Sequence, residues 1–193
     1  MGKFTNLFEE ALIYAYRLHS KQTRKGSDVP YFAHLLGVTA LVLEEGGDEE
    51  EAIAALLHDA VEDQGGLETL KEIRKRFGER VADMVEDLSD AFTSPKPDWK
   101  ERKTAYIHHL QNVSPSVRRI ALADKLCNAW SILSSHDKVG DELWKRFNGG
   151  KEGTLWVYRE VMNVFRETGS DFMTGEIERL IGRIEGLDKS EKQ

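Results

Sequence analysis

Apolar residues along the 193-residue chain recur at three- and four-residue intervals almost throughout, the spacing of one face of an α-helix. Phe8, Leu12, Ala15 and Leu18 form the first stripe, and Asn6 with Glu9 is spaced as an N-cap pair. Lys21 to Pro30 breaks the period with Gly, Ser, Asp and Pro and reads as a loop, basic on one side. A second helix is predicted over Tyr31 to Glu45, ended by Gly46-Gly47. Asp48 and Glu51 cap a third, which runs through Ile53, Leu56, Leu57 and Ala60 to a stop at Gly65-Gly66. Leu67 to Phe77 and Val81 to Leu88 give two more, divided at Gly78. Thr93 to Pro97 is the clearest internal loop; Asp98 and Glu101 then open a helix through Ala105 and Leu110. Ser114-Pro115, a cap followed by Pro at the first helical position, opens one that is predicted to reach Leu133. Asp141 to Phe147, Leu155 to Phe165 and Glu176 to Ile184 complete the pattern. No segment alternates as a strand does, and no internal repeat is evident. The expectation is an all-α helical bundle, one domain over 1–187 with a polar tail over 188–193.

Composition narrows the class. With 40% hydrophobic and 32% charged residues the chain can bury a core and stay in solution. The one cysteine, Cys127, excludes an internal disulfide and any Cys-based zinc site. No apolar run approaches the roughly 20 residues that cross a bilayer, so no membrane partner is expected. The N-terminus opens directly into an amphipathic pattern without a leader, so a cytoplasmic location is expected. A net charge of -7 argues against nucleic acid as a partner. Nothing in the pattern fixes the oligomeric state.

The chemistry concentrates in Leu56-Leu57-His58-Asp59-Ala60-Val61-Glu62-Asp63. His58 and Glu62 are four apart, as are Asp59 and Asp63, so one continuous helix would carry the two pairs on adjacent stripes. Three carboxylates this close repel one another unless a cation or solvent intervenes; a divalent metal is one resolution and a solvated helix end the other. His34 stands in the first turn of the preceding helix, either as a packed or capping residue or as a second imidazole ligand. Asp124 lies inside the apolar Ala121 to Cys127 and needs a partner, a metal or a neighbouring Lys or Arg. Asn128 follows one turn later on the same face. Lys21, Arg24 and Lys25 in the first loop, and Lys100, Arg102 and Lys103 after Trp99, are either phosphate contacts or solvated charges. His19 falls near the end of the first helix, where a cation is mildly favoured. His108 and His109 read as surface residues, His136-Asp137 as part of a polar loop, and Cys127, Trp130, Trp144 and Trp156 as core.

The order H…HD…D of His34, His58-Asp59 and Asp124 resembles the HD phosphohydrolase superfamily. RKGSDVPYFAH, ALLHDAVED and ADKLCN more closely resemble the hydrolase domain of the RelA/SpoT alarmone enzymes, in the stand-alone small form of the Mesh1 type. The likeness spans roughly Leu7 to Trp156. It implies a single HD-domain bundle that binds one Mn²⁺, or another divalent transition metal, through His34, His58, Asp59 and Asp124. It implies Glu62 and Asp63 as the catalytic acidic pair. Arg24 would stack on a purine, Lys25 would meet a phosphate or the base edge, and Asn128 the sugar; Tyr158 is a further candidate for nucleotide contact. The implied substrate is a small purine nucleotide, guanosine 3′,5′-bis(diphosphate) or its adenosine counterpart. Its 3′-pyrophosphate would be removed by attack of water on phosphorus. Another HD phosphatase of small nucleotides, or a nucleotide-binding sensor, is the alternative, disfavoured by the basic loop and the intact acidic pair.

Overall fold

Seven helices lead the chain: α1 (Asn6–His19), α2 (Tyr31–Glu44), α3 (Glu49–Leu57), α4 (Ala60–Gln64), α5 (Gly66–Phe77), α6 (Glu79–Leu88) and α7 (Trp99–His109). A 3-10 turn (Leu110–Asn112) precedes α8 (Pro115–Val139), and a 3-10 segment (Gly140–Arg146) precedes α9 (Gly150–Arg166) and α10 (Phe172–Ser190). The computed structural model describes residues 4–93, 95–166 and 172–190, the side chains of 188–190 excepted. Among the described residues there is no strand; an isolated bridge between Thr23 and Pro30 pinches the loop after α1. The chain falls into two compact units, one ending at Ala123 and the other beginning at Asp124, within α8.

In the first unit α3 is buried continuously from Glu51 to Leu57. Its sequence, AIAALL, offers no polar side, and a helix apolar all round belongs at the centre of a bundle. The small alanines admit close neighbours, and α1, α2 and α6 pack around it. Its entry is fixed by the predicted Asp48–Glu51 capping box: Glu51 N–H donates to Asp48 Oδ1 (2.9 Å) and Asp48 N–H to Glu51 Oε2 (2.7 Å). Arg119 completes the arrangement with an ion pair to the buried Glu51 at 2.5 Å.

Three sequence expectations are corrected here. Thr5, not Asn6, caps α1, and it does more than cap. Its N–H and hydroxyl both donate to Glu49 Oε1 (2.6 and 2.8 Å), tying the start of α1 to the start of α3. The helix expected to run unbroken from Asp48 past Ala60 instead turns at His58-Asp59, with Asp59 at φ −97, ψ −1, and restarts as α4. In a continuous helix adjacent residues diverge by about 100°; the break lets neighbouring His58 and Asp59 serve one point. Finally, α8 continues past Leu133 to Val139. Ser134, Ser135, His136 and Asp137 are thus helical, their polarity reflecting the exposed or half-exposed side of a helix and not a loop.

In the second unit α9 packs on α10. Leu155, Val161, Met162 and Phe165 of α9 and Met173, Ile177, Leu180 and Ile184 of α10 are its buried apolar set. α9 starts at Gly150, ahead of the predicted Leu155, and α10 covers Phe172–Ser190, so 188–190 of the expected tail are helical in backbone. Residues 191–193 lie outside the described residues. Trp144 is buried as expected, Trp156 and Cys127 are half-buried, and Trp130 is 42% exposed, against its expected place in the core.

Candidate active site

His34 rises from the first turn of α2, and His58 and Asp59 occupy the break between α3 and α4. Their ligand-type atoms lie within 4.8 Å of one another. Asp59 Oδ2 is 2.9 Å from His58 Nε2 and 3.6 Å from His34 Nε2, and the two imidazoles meet edge to face at 5.3 Å. Both histidines are buried. His58 Nδ1 is 2.8 Å from the carbonyl oxygen of Ala55. A carbonyl only accepts, so Nδ1 carries a proton, and Nε2 is the nitrogen turned toward Asp59. The Tyr31 hydroxyl donates to Asp59 Oδ2 at 2.5 Å. Two imidazole nitrogens and a carboxylate, with one imidazole fixed in tautomer by a backbone carbonyl, suit a borderline divalent ion.

One turn on, the acidic pair is held quite differently at its two members. Glu62 Oε1 accepts from Lys96 Nζ (2.8 Å) and faces Arg102 NH1 at 3.4 Å. Burial, then the charge of Asp90 and a hydrogen bond to it, push the Glu62 carboxyl up to about 7. Asp90, whose side chain is almost wholly buried, is bound by Arg102 and by Lys103 Nζ at 2.5 Å. Burial would raise Asp90 too, but the Lys103 ammonium, the bond with Glu62 and the Arg102 charge override it and hold Asp90 at about 2. Arg102 and Lys103 are therefore not merely solvated: they neutralise a buried carboxylate beside Glu62.

Asp63 is clamped from both sides. Lys96 Nζ reaches its Oδ1 at 3.2 Å, and Gln22 Nε2 donates to its Oδ2 at 2.8 Å. Gln22 Oε1 in turn lies 2.5 Å from Gln64 Nε2 and 2.7 Å from His19 Nδ1. His19 is buried, and its ring stacks on Tyr31 at 5.4 Å. Burial lowers its pKa, which works against the helix-end cation expected from its position.

The structure places the remaining predicted residues as follows. The Arg24 guanidinium lies 5.7 Å from the centre of the Tyr31 ring, which brings the basic loop to the residue that holds Asp59; Lys25 beside it is exposed. Asp124, Asn128 and Tyr158 belong to the second unit. Asp124 has one of the two suggested partners, a neighbouring lysine, with Lys125 Nζ at 2.6 Å, and it also accepts from Asn128 Nδ2 at 2.6 Å, one turn on along the same face. Tyr158 is buried, its hydroxyl donating to the Lys125 carbonyl at 3.2 Å. Among the other histidines, His109 pairs with Asp87 at 3.0 Å and His136 with Asp141 at 3.2 Å.

Sequence reasoning missed Tyr31, Gln22, Lys96 and Asp90. Tyr31 carried a usable signal, standing three residues before His34 and so on the same helix face. Asp90 and Lys96 lie in the connection before α7, and Gln22 in the loop after α1, where no periodicity assigns a direction.

A family model described as HD domain matches residues 11–153. The guanosine-3′,5′-bis(diphosphate) 3′-pyrophosphohydrolase MESH1 of Xenopus tropicalis is 40% identical over 131 residues, 66% of this chain and 70% of its own. The Homo sapiens MESH1 is 37% identical over the same shares. A solved structure described as a metazoan ortholog of SpoT that hydrolyzes ppGpp and plays a role in starvation responses superposes with a TM-score of 0.76. That match covers 97% of this chain and 99% of the other at 26% identity. A crystal structure from Listeria monocytogenes EGD-e gives 0.69 at 30% identity, over 78% and 97%. The helical fold, the His34–His58–Asp59 cluster and these likenesses agree, and the chain is a member of the HD-domain family, within the group of guanosine-3′,5′-bis(diphosphate) 3′-pyrophosphohydrolases that includes MESH1.

Proposed function

We propose that this protein hydrolyses guanosine 3′,5′-bis(diphosphate) to guanosine 5′-diphosphate and pyrophosphate. The observation that carries the reading is the meeting of His34, His58 and Asp59 within 4.8 Å, one turn from a carboxyl held near neutrality. Water adds to the phosphorus bonded to the ribose 3′ oxygen, the O3′–P bond breaks, pyrophosphate keeps the new oxygen, and O3′ takes a proton. A divalent ion at the His/Asp cluster, Mn²⁺ in this reading, would acidify the attacking water and offset phosphoryl charge.

The chain's own groups divide the remaining work. Glu62, with its pKa at about 7, holds or releases a proton at physiological pH and is the group suited to exchange one with the reacting oxygens. Asp63, fixed by Gln22 and Lys96, orients the water. Arg24 offers a guanidinium face to the purine, and Lys25 a charge to phosphate or base edge. For Asp124 as a further ligand, and for Asn128 and Tyr158 at the nucleotide, the support is the sequence motif. The reading places the enzyme in the cytoplasm.

The test is turnover by metal-stripped protein with Mn²⁺ restored, offering the guanosine and adenosine 3′-pyrophosphates side by side and resolving products chromatographically. Nucleoside 5′-diphosphate plus pyrophosphate, formed only with metal, is expected. Turnover of neither, with metal demonstrably bound, overturns the reading in favour of another HD phosphatase or a sensor. Asp59→Ala and Asp124→Ala are each expected to lose metal and activity together; full activity in either rejects that ligand.

A further inference from the structure

The side chain of Gln22 joins the basic loop, the buried His19 and the acidic pair. Its amide has a single workable orientation. Oε1 faces two donors, the Gln64 amide at 2.5 Å and His19 Nδ1 at 2.7 Å, and Nε2 faces the Asp63 carboxylate at 2.8 Å. Reversing the amide would set oxygen against carboxylate oxygen and NH₂ against NH₂. The backbone of Gln22 is fixed as well: its N–H donates to the His19 carbonyl (3.0 Å) and its carbonyl accepts from Tyr31 N–H (2.9 Å). The backbone that carries the donor aimed at Asp63 is thus held by the end of α1 and the start of α2, while Gln64 at the end of α4 holds its amide oxygen.

We infer that Gln22 is a positioning residue for the reaction: it fixes the rotamer of Asp63 by donating to Oδ2, leaving Oδ1 to Lys96. The inference rests on the alarmone-hydrolase reading for its kinetic consequence, but the contact itself stands apart from that reading. An aspartate without this restraint turns about its Cα–Cβ bond, and a group that must orient water loses rate once its geometry drifts.

Two substitutions separate anchoring from donation. Gln22→Leu removes both. Gln22→Glu keeps an acceptor for His19 and Gln64 but turns a carboxylate toward Asp63. The titratable groups facing Asp63 and the new carboxylate are then Lys96 from the loop before α7, Glu62 and Asp59 near its own helix, and His19, whose pKa burial lowers. Two carboxylates this close share a proton as pH falls, and the shared proton restores a donor.

With Mn²⁺ bound, Gln22→Leu is expected to lower kcat by about tenfold to a hundredfold, part of what a positioned acid–base group supplies. Metal content and KM should stay close to those of the unsubstituted enzyme. Gln22→Glu should recover kcat relative to the unsubstituted enzyme as pH is lowered from about 8 to about 6, the range in which a carboxylate pair takes up a proton. The Gln22→Leu ratio should stay flat. Unchanged kcat in Gln22→Leu, or a flat ratio in Gln22→Glu, overturns the inference. A substrate-free measurement keeps this distinct from the substrate reading: the side-chain amide resonances of Gln22 are followed by NMR in the protein and in Asp63→Ala. A shift toward those of a solvated glutamine supports the contact even if guanosine 3′,5′-bis(diphosphate) is not turned over, and unmoved resonances refute it.

Discussion

The hydroxyl of Tyr31 donates to the same oxygen of Asp59, Oδ2, that lies 2.9 Å from His58 Nε2. This one bond sets the carboxylate of the α3–α4 break from the first residue of α2, and it leaves the Asp59 torsions little freedom. Groups that orient a ligand in this way commonly contribute about tenfold to a hundredfold to metal affinity. Tyr31→Phe keeps the ring that stacks on His19 and removes only the donor. It is expected to weaken Mn²⁺ binding by about tenfold or more, with the melting temperature of the metal-free protein little changed. Titration of metal into stripped protein checks this.

Glu62 makes stability depend on pH in a direction unusual for a carboxylate. Its pKa stands at about 7 in the folded protein, against an ordinary 4.5. Between those values the folded state binds more protons than the unfolded one, so stability from this group falls as pH rises. The contribution is complete below 4.5 and lost as pH passes through about 7. Glu62→Gln is expected to flatten the decline of melting temperature across that window, measured on metal-free protein. An unchanged slope would assign it to other groups.

Glu51 combines an N-cap partner and a buried ion pair in one side chain. Removing it leaves Asp48 N–H without its acceptor and Arg119 without its counter-charge. Breaking a buried pair costs about 3 to 5 kcal/mol. Because Arg119 is 29% exposed and can turn to water, the lower figure applies. Glu51→Ala should therefore destabilise the protein by about 3 kcal/mol in denaturant unfolding.

Gly66 opens α5 at φ +61, and a Cβ there would stand 2.5 Å from the backbone oxygen of Phe92. Gly66→Ala is expected to cost about 2 kcal/mol or more, from the left-handed backbone and the clash together. Gly46→Ala, at φ +78 with open space around it, isolates the backbone term and should cost about 1 kcal/mol. Equal losses at the two positions would show that the contact with Phe92 relaxes freely.

Helices were legible because periodicity records burial, and caps at Asp48 and Asp98 were legible because their partners are local. The meeting of His34, His58 and Asp59 could be read because HD, and a histidine one helix earlier, are a compact pattern. The break at His58-Asp59 was not legible. Every residue from Ala52 to Ala60 is compatible with a continuous helix, and only the tertiary meeting of both side chains with His34 distinguishes the break. Asp90, Lys96 and Gln22 were invisible for a related reason: each acts from a connection, across 12 or more positions in sequence, on α4 or α7. Trp130 and His19 were misread in opposite senses, one exposed and one buried. A single aromatic or imidazole does not reveal which side of its helix faces the core.

α3 enters through a complete capping box, and every side chain from Glu51 to Leu57 is withdrawn from water. Amide protons there are expected to be among the slowest of the first unit to exchange, because core elements of this kind open close to the global unfolding limit. The His58 ring hangs from the carbonyl of Ala55, inside that same stretch. The imidazole is therefore referenced to slow-exchanging backbone of the unit. Partial fraying of α1 or the loops leaves its tautomer and aim intact, and opening of the core releases them.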